Sequence, residues 1–516
     1  MEQGIIIDEF RRSYYERMRI PANVTSERRV MLDNLEKMNK LVEPQRIPRF
    51  HFSESKMEQV AQMQELLGRF RDHELDRKCI TDDMDIIRFY VEKLNVAPPS
   101  FVEAGPRRFL YHDPAGVRVA LLTSGGIAPG LNTVVESIVR KHREVCAVHG
   151  SLPSHETTAT RNYSPLSDSG VVRGFYDGFI GLTEDRSREL LPNDVKAWCR
   201  FGGSKLGVGR TKPSVGRWIE VLSKNQIGIL YVIGGNGSLA AAHEIAQEAI
   251  RHKMDISVAV IPKTMDNDVL WVWQSFGFVT AVEKATEIIN ILHTEAESNR
   301  RVCVIQLFGA KSGHVAANAA LASGEVDAVL IPEEGFDINL VSTHIARRVN
   351  DYRHAVVVMA EGARAMYNKD GKWKMWATET REQRDANFHR MQQELWKGLS
   401  SRGLSGHEVF GNQPQHTIRS IAANSHDQVY CRRLADMAVD TCLGGYTDFM
   451  ISSWLTEYVI VPLVFPAKHG LTEEGFKTFP TGGIFWRTVL RSTGQPSFLS
   501  PEAREAQYRG EVEAEQ

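Results

Sequence analysis

The chain has 516 residues with a net charge of −2, and 42% of its residues are hydrophobic. At about 100–200 residues per domain, this length predicts two to four domains with enough apolar residues for a large core. The near-neutral charge excludes an overall basic field, so we expect no nucleic-acid partner and no membrane partner. The hydrophobic fraction excludes wholesale disorder.

Cysteine spacing and the length of the apolar runs predict a cytoplasmic protein. The six cysteines are spread along the chain without a C-x-x-C pair, which argues against a disulfide framework or a structural zinc site. The first residues, MEQGIIIDEFRR, lack the basic start and the long apolar run of a secretory signal. The longest apolar stretches, at 227–235 and 457–465, are too short to span a bilayer.

Residues 1–116 are predicted to form a helical N-terminal extension. Helical periodicity is present in 31–42 and 82–94, and this part of the chain has no strand–glycine–helix pattern. We expect the extension to serve in docking or oligomer contact. At Val117 the pattern changes to apolar strands that run into glycines and then into helices.

Strand–helix units fill most of the remaining chain. Residues 117–145 form one unit of strand, glycines and helix, and 227–250 form another. Shorter apolar strands are predicted at 256–262, 301–309, 327–332 and 354–362. Strands that are apolar throughout and alternate with helices indicate parallel sheets covered on both faces. The sequence therefore predicts an α/β fold with two doubly wound, Rossmann-like lobes and mostly parallel sheets.

Three other segments have distinctive compositions. Residues 151–170 are rich in Ser, Thr and Pro, which predicts a surface insertion loop. Within 364–403, the residues Lys369-Asp370-Gly371 predict a turn that is followed by a polar helix. The last residues, GEVEAEQ, predict a frayed acidic tail.

Two glycine-rich loops follow predicted strands and precede predicted helices, at 123–132 and 234–238. Ligands bind beyond the carboxyl ends of strands in open parallel sheets, and N–H groups at a helix start suit a phosphate. The alternative for each loop is a tight turn that needs glycine for a positive φ. Gly235, Gly237 and Ala240 also match the dinucleotide fingerprint, but its partner acidic residue is missing.

The segment PKTMDND (262–268) follows a buried strand and holds one cation, one hydroxyl and two carboxylates. Phosphoryl transfer needs an acid–base group beside the acceptor hydroxyl and a positive charge for the phosphate. Asp266 or Asp268 can supply the first, and Lys263 can supply the second. The alternative is a solvated Asx turn. Because phosphate-type loops follow other strands, the segment favours a functional site.

A series of motifs runs in a fixed order along the chain: GPRRFLYHDP (105–114), TSGGIAPGLN (123–132), GFYDGFIGL (174–182), FGGSKLGVGR (201–210), GGNGS (234–238), PKTMDND (262–268), SFGFVTAVEKA (275–285), LFGAKSGHVAANAALAS (307–323), AEG (360–362), IRSIAANSHDQVYC (418–431), GGYTDF (444–449) and LRSTGQPSF (490–498). In this order they resemble the 6-phosphofructokinase family, most of all its long plant and protist forms. The resemblance extends from about Gly105 to Phe498.

The resemblance implies a domain plan and a glycolytic activity. Residues 117–277, completed by about 419–466, are expected to form the lobe that binds the phosphoryl donor. Residues 278–418 are expected to form the sugar-phosphate lobe, with 467–516 as a C-terminal segment. The family transfers a phosphoryl group from ATP or pyrophosphate to the 1-hydroxyl of fructose 6-phosphate.

Site residues are also implied by the resemblance. Asp266 matches the general base, and Thr264 and Asp268 match residues that position the sugar and the transferred phosphate. Arg210 matches a cation that stabilises charge on the phosphoryl group. Donor-binding positions are Gly125, Tyr176, Gly235, Asn236, Gly237, Ser238 and Lys263. Acceptor-binding positions, besides the three of 262–268, are Arg301, Phe308, Gly309, Glu361, His416 and Arg419. Arg301 matches an arginine that reaches the acceptor's phosphate from a neighbouring subunit, which implies a homo-oligomer, either a dimer or a tetramer.

Two positions indicate which donor is used. Pyrophosphate users of the family usually carry Asp where Gly237 stands, and ATP users carry Gly. Lys263 is typical of pyrophosphate users but also occurs in the long ATP-using forms. A carboxylate at 237 would crowd and repel the α-phosphate of a nucleotide. The combination therefore favours ATP with Mg²⁺, and pyrophosphate stays as the alternative donor.

Three positions depart from the family motifs. Asn236 replaces an aspartate associated with magnesium. Its amide oxygen can ligate the ion, but it contributes no negative charge. Ala310 replaces an arginine near the phosphates, and Phe410 falls about where short forms place an acceptor-phosphate arginine. The retained Asp266 and Arg210 favour an active kinase. The departures favour the alternative, a catalytically weak homologue that binds sugar phosphate or nucleotide as a regulatory or assembly subunit. A third interpretation, a dinucleotide oxidoreductase, rests only on the match of Gly235, Gly237 and Ala240 to the dinucleotide fingerprint.

Overall fold

The computed structural model describes residues 78–80, 100–107, 110–149, 172–209, 214–454, 457–464, 466, 476–481, 483–509 and 511–515. Arg210, the predicted insertion loop at 151–170 and most of the predicted N-terminal extension lie outside these residues. The described chain divides into two compact units. The nine-stranded unit holds the described residues up to 280 and those of 419–466, and the four-stranded unit holds those of 281–418 and 476–515.

The strands of the described chain form three sheets. In chain order they are β1 Lys78–Ile80, β2 Ser100–Glu103, β3 Arg118–Thr123, β4 Val172–Phe175, β5 Ser187–Glu189, β6 Ile227–Gly234, β7 Ser257–Pro262, β8 Val302–Leu307, β9 Ala328–Leu330, β10 Ala355–Ala360, β11 Met366–Lys369, β12 Lys372–Met375, β13 Val409–Asn412, β14 Phe449–Trp454, β15 Glu457–Pro462 and β16 Val512–Ala514. The sheet orders are β1-β2-β15-β14-β7-β6-β3-β4-β5, β13-β8-β10-β9 and β11-β12-β16.

The centre of the nine-stranded sheet is parallel and apolar. β3, β6 and β7 are parallel neighbours, and β4 and β14 extend this parallel part on its two sides. Ile229, Tyr231 and Ile233 of β6 are fully buried. Burial of such a side chain stabilises the fold by about 1.5–3 kcal/mol. The outer strands pair antiparallel, at β4–β5 on one side and at β14–β15, β15–β2 and β2–β1 on the other.

Helices connect these strands and cover the sheets. Those of the described chain are Leu131–His149, Phe179–Glu184, Pro192–Val195, Val215–Lys224, Asn236–Arg251, Phe278–Asn299, His314–Ser323, Ile338–Tyr352, Arg381–Ser400, Gln415–Arg419, Ser425–Leu443, Ile484–Thr493 and Pro501–Arg509, with a 3₁₀ turn at Trp198–Arg200. Leu131–His149 and Ser425–Leu443 pack against each other over the core of the nine-stranded unit.

The four-stranded sheet is parallel throughout, since β13 and β10 both pair parallel to β8 and β9 pairs parallel to β10. Its core includes Val304, Val357 and Met359, which are fully buried. The predicted turn after Lys369 is confirmed as the β11–β12 hairpin, where Asp370 and Gly371 both have positive φ. Asp-Gly is the preferred pair for such a two-residue hairpin turn.

The predicted α/β fold with mostly parallel sheets is confirmed, with two local differences. Within the extension predicted to be helical, the described residues form β1, β2 and the irregular segments 104–107 and 110–116, and the remainder lies outside the described chain. Phe101 and Val102 of β2 are buried, so edge pairing and burial determine the structure there. The prediction of a frayed tail is wrong for β16, because it pairs with β12 and Glu515 beside it accepts a hydrogen bond from Arg390 at 2.8 Å.

Two buried histidines make the nine-stranded unit sensitive to acid. Nε2 of His112 lies 3.0 Å from Oγ of Ser257, and Nε2 of His142 lies 2.9 Å from the hydroxyl of Tyr231. Burial lowers the pKa of His112 to about 4 and, with the nearby charges of His112 and Lys141, the pKa of His142 to about 3. Both side chains are therefore neutral in the folded protein at neutral pH.

The substitution His112→Gln is expected to reduce the loss of stability on acidification. A histidine binds protons more strongly in the unfolded chain, with a pKa near 6.5, so the stability it contributes is lost as the pH falls below that value. For a folded pKa of about 4, going from pH 7 to pH 5 costs about 2 kcal/mol through His112. Urea unfolding at both pH values measures this difference. An equal loss in wild type and variant would contradict the assignment.

Candidate functional site

Three loops converge at the carboxyl ends of β3, β6 and β7, because these strands are neighbours in the sheet. Thr123 at the end of β3 is in register with Ile233 of β6, and Gly234 is in register with Pro262 of β7. The loops that begin at 124, 235 and 263 therefore start side by side. The sequence predicted a ligand at each, and the fold brings them together.

Lys263 joins two of these loops. Its side chain is buried, its backbone N–H donates to the carbonyl of Gly234 at 2.9 Å, and its Nζ lies 3.2 Å from where a Cβ on Gly125 would stand. Gly125 also has a φ of +83°, which favours glycine. The lack of a side chain at 125 therefore leaves space for the Lys263 ammonium group over the loop after β3.

The helix Asn236–Arg251 begins immediately after β6, with Gly235 as its N-cap. Oδ1 of Asn236 is buried and has no hydrogen-bond partner among the described residues. An unsatisfied buried acceptor costs about 1–3 kcal/mol, so such an oxygen indicates a ligand that completes it. A hard cation such as Mg²⁺ fits, since it takes oxygen ligands. Across the described residues, no group of three or more His, Cys, Asp or Glu side chains has a metal-binding arrangement.

The first turn of this helix is open next to Asn236. A Cβ added to Gly237 meets no atom within 4 Å, and Gly237 is exposed. Ser238 is buried, and its backbone N–H donates to the carbonyl of Gly235 at 2.8 Å. Exposed N–H groups at a helix start attract an anion. The helix start at 237 is therefore open to a phosphate-bearing ligand.

The loop after β7 alternates between buried and open positions. Met265, Asn267 and Val269 are buried, whereas Thr264, Asp266 and Asp268 are half-buried. Asn267 has a φ of +55°, and its Oδ1 accepts a hydrogen bond from the backbone N–H of Ser275 at 3.0 Å. This contact holds the loop so that one hydroxyl and two carboxylates lie on its open face, here defined as Thr264, Asp266 and Asp268.

Hydrogen bonds distinguish the two carboxylates of the open face. The hydroxyl of Thr264 donates to Oδ1 of Asp268 at 2.7 Å, and its oxygen accepts from the backbone N–H of Asp266 at 3.2 Å. A hydroxyl has one proton, so Thr264 cannot also donate to the Asp266 carboxylate. Asp268 is thus held by the side chain of Thr264, which itself bonds to the backbone of Asp266.

Tyr176 and the segment before Arg210 lie on the β4 side of β3. Tyr176 directly follows β4, and the guanidinium of Arg186 lies 5.8 Å from its ring centroid. Gly209 pairs with Ser124 in an isolated parallel bridge, so the chain runs along the β3 loop immediately before Arg210. Arg210 itself lies outside the described residues.

In the four-stranded unit, the ends of β8 and β10 bring together three of the predicted acceptor residues. Glu361 follows β10 and donates its backbone N–H to the carbonyl of Leu307 at 3.0 Å, next to Phe308. Phe308 is buried. Gly309 has a φ of +129°, and a Cβ there would collide with the carbonyl oxygen of Ser312. The tight turn after β8 therefore requires glycine at 309.

Sequence reasoning missed two arginines of this unit, Arg381 and Arg384. Nη2 of Arg381 lies 3.2 Å from Nε2 of His416, and Nε of Arg384 lies 3.6 Å from Oε2 of Glu361. Both are on the first turn of the helix Arg381–Ser400, which the sequence predicted only as a polar helix. Their spacing of three residues is the one available signal, because it places them on one helix face.

Arg301 and Phe410 lie apart from the strand ends just described. Arg301 precedes β8, and its guanidinium pairs with Glu295 at 3.3 Å and Glu408 at 3.0 Å. β8 has six residues, or about 20 Å at 3.3 Å per residue, so Arg301 and Phe308 are at opposite ends of the strand. Phe410 is in register with Cys303 near the same end as Arg301. Arg419 ends the helix Gln415–Arg419 and is half-buried.

Comparison with protein-family models matches residues 157–442 to the phosphofructokinase family. The chain belongs to this family. It is similar to an ATP-dependent 6-phosphofructokinase of Amycolatopsis methanolica, with 33% identity over 80% of this chain and 86% of that protein. It is also similar to ATP-dependent 6-phosphofructokinase 7 of Arabidopsis thaliana, with 31% identity over 78% of each protein.

The solved structures agree with this family fold. A pyrophosphate-dependent phosphofructokinase of Marinobacter aquaeolei superimposes with a TM-score of 0.57 at 20% identity, over 75% of this chain and 93% of that one. The predicted resemblance is therefore confirmed, and the chain is a phosphofructokinase-like phosphotransferase. The names of its relatives support a sugar-phosphate kinase. Within the described residues, every helix is too short or too polar to cross a bilayer.

Proposed function

We propose that the chain transfers a phosphoryl group from ATP, with Mg²⁺, to the 1-hydroxyl of fructose 6-phosphate or a related sugar phosphate. The observation that carries this proposal is the open face of Thr264, Asp266 and Asp268. It lies in the loop of Lys263, beside the helix start of Asn236. A proton acceptor, a cation and a phosphate-binding helix start therefore share one edge of the sheet, as phosphoryl transfer requires.

In this proposal Asp266 accepts the proton of the acceptor hydroxyl, which makes the oxygen a better nucleophile. Thr264 and Asp268 position the sugar and the transferred phosphate through their mutual hydrogen bond. Lys263 supplies positive charge close to Gly125. Arg210, outside the described residues, is proposed to stabilise charge on the transferred group.

The nine-stranded unit is proposed to bind ATP along the loops of β3, β4 and β6. Gly125, Tyr176 and Gly235 line this path, and Gly237 and Ser238 follow at the helix start. Glycine at 237, where the pyrophosphate users of the family usually carry aspartate, supports ATP as the donor, in agreement with the ATP-dependent relatives. The pyrophosphate-dependent Marinobacter aquaeolei protein is similar in fold at only 20% identity, so pyrophosphate stays as the alternative donor.

Asn236 is proposed to hold the magnesium ion through its unpaired Oδ1. Mg²⁺ would neutralise charge on the donor phosphates during transfer. An amide contributes an oxygen without a charge, so we propose that affinity for the ion is lower than with an aspartate.

The four-stranded unit is proposed to bind the acceptor through Phe308, Gly309, Glu361 and His416. Arg419, the first residue of the returning part of the nine-stranded unit, stays a proposed acceptor contact. Because Arg301 lies at the other end of β8, we propose that it acts in the site of a second copy, within a dimer or a tetramer. The cysteine pattern supports a cytoplasmic location.

The second candidate is a regulatory or assembly subunit that binds sugar phosphate or nucleotide without turnover. The observation in its favour is the loss of charge at Asn236 and Ala310. The retained carboxylates of the open face favour the enzyme.

The substitution Asn236→Asp separates these candidates. The two side chains are nearly isosteric, so the variant is expected to keep the loop and to reach half-maximal rate at about tenfold lower Mg²⁺. The measurement is a Mg²⁺ titration of initial rate for both proteins with ATP and fructose 6-phosphate at saturation. Asn193→Asp, at an exposed position of the same unit, is the control for added charge. If both proteins bind ligand but show no turnover, the enzyme proposal is wrong and the regulatory one stands.

A further inference from the structure

Two arginines of the four-stranded unit lie against the two residues proposed to contact the acceptor. Nε of Arg384 is 3.6 Å from Oε2 of Glu361, and Nη2 of Arg381 is 3.2 Å from Nε2 of His416. We propose that Arg381 and Arg384 bind the phosphate group of the acceptor sugar phosphate. This inference rests on the proposed function, because it concerns the substrate of that site.

The first turn of the helix holds Arg384 in place without a ligand. The side chain of Thr380 accepts a hydrogen bond from the backbone N–H of Gln383, and the side chain of Gln383 accepts one from the backbone N–H of Thr380. Nη1 of Arg384 donates to the carbonyls of Thr378 at 2.9 Å and Glu379 at 3.3 Å. The guanidinium is therefore fixed to the backbone ahead of the helix. A group that is ordered beforehand loses less conformational entropy when it binds a ligand.

Donors of both arginines are available to an anion. Nε of Arg384 is buried and has no hydrogen-bond partner within the described chain. The carboxylates of Glu361 and Asp385 lie 3.6 Å from Nε of Arg384 and Nε of Arg381, respectively, which exceeds hydrogen-bond distance. A guanidinium has five donors in a planar fork, and this geometry matches two oxygens of a phosphate. A phosphate can thus satisfy a donor that the carboxylates leave unsatisfied.

The contact with Arg381 determines how His416 can bind. Arginine has donors and no acceptor, so Nε2 of His416 accepts the hydrogen bond. The two guanidinium groups therefore supply positive charge on the side of His416 and Glu361.

The substitution Arg384→Ala is expected to raise the KM for fructose 6-phosphate by about tenfold or more, since a hydrogen bond from a charged group is lost. The KM for ATP is expected to stay within about twofold. Arg384→Lys keeps the charge but loses the fork, so an intermediate rise is expected. Lys397→Gln removes a charge from the same helix at a residue that pairs with Glu394, and it is the control that should change nothing. An unchanged KM in both Arg384 variants would overturn the proposal.

Calorimetry with fructose 6-phosphate and with fructose separates this inference from the proposed function. The full chain is expected to bind the phosphate ester more tightly than the sugar, and Arg384→Ala is expected to remove most of that preference. If the wild type shows no turnover but prefers the phosphate ester, and Arg384→Ala removes that preference, the inference is supported while the proposed function fails. An equal preference for fructose 6-phosphate over fructose in wild type and variant would overturn the inference even if the kinase is active. A lower melting temperature of Arg384→Ala with the same preference would show a structural role only and would also overturn it.

Discussion

Asp266→Asn is expected to lower kcat by at least about 100-fold, the usual scale for the loss of a general base. The hydroxyl of Thr264 donates a hydrogen bond to Asp268, and Asp266 is the carboxylate of the open face that we propose as the acceptor of the substrate proton. Asparagine has nearly the same shape but cannot accept a proton at neutral pH. The KM for fructose 6-phosphate is therefore expected to change little, and steady-state kinetics measures both constants.

The control for this substitution is Asp255→Asn, near the other end of β7. Asp255 is exposed and accepts a hydrogen bond from the hydroxyl of Tyr111 at 3.1 Å. Its loss removes the same charge from the same unit, and kcat is expected to stay within about twofold. If Asp266→Asn retains kcat within a few-fold of wild type, Asp266 is not the base.

Gly237→Asp is expected to raise the KM for ATP by about tenfold or more while the protein stays folded. A Cβ at 237 meets no atom within 4 Å, so the side chain fits the free protein. A carboxylate in the first turn also stabilises the helix, because it lies near the positive end of the helix dipole. Two negative charges about 4 Å apart repel by about 4 kcal/mol at an effective dielectric constant of 20, which is more than enough for the expected change.

Gly237→Asn separates repulsion from crowding, since asparagine has the size of aspartate without its charge. If repulsion dominates, Gly237→Asn is expected to weaken ATP binding far less than Gly237→Asp. Calorimetry with ATP and with pyrophosphate measures both variants. Tight ATP binding by Gly237→Asp would contradict the proposed donor path.

The loops of the nine-stranded unit could be predicted because their signals are local. Each is a run of apolar residues that ends in glycines or in polar residues, and adjacent parallel strands bring such ends together. The open face of the β7 loop was harder to predict from the sequence. It depends on the contact between Asn267 and Ser275, eight residues apart, and nothing in the motif alone determines which side chains turn inward.

The cations of the four-stranded unit could not be predicted, because tertiary contacts bring them to the site. Arg384 meets Glu361 across 23 residues, and no motif includes both. The tail after β16 was mispredicted for the same reason. Its acidic composition indicates a solvated segment, whereas Glu515 bonds to Arg390 from 125 positions away. Burial and long-range pairing override local composition in both cases.

The most direct test of the central claim is the initial rate of the purified full chain with fructose 6-phosphate and Mg²⁺, with ATP and, separately, with pyrophosphate as the donor. We expect ATP-dependent formation of fructose 1,6-bisphosphate, a rate with pyrophosphate lower by about tenfold or more, and loss of the ATP-dependent rate in Asp266→Asn. Turnover with pyrophosphate alone would contradict the proposed donor. No turnover with either donor, in a protein that binds fructose 6-phosphate, would contradict the claim that this chain is an active kinase.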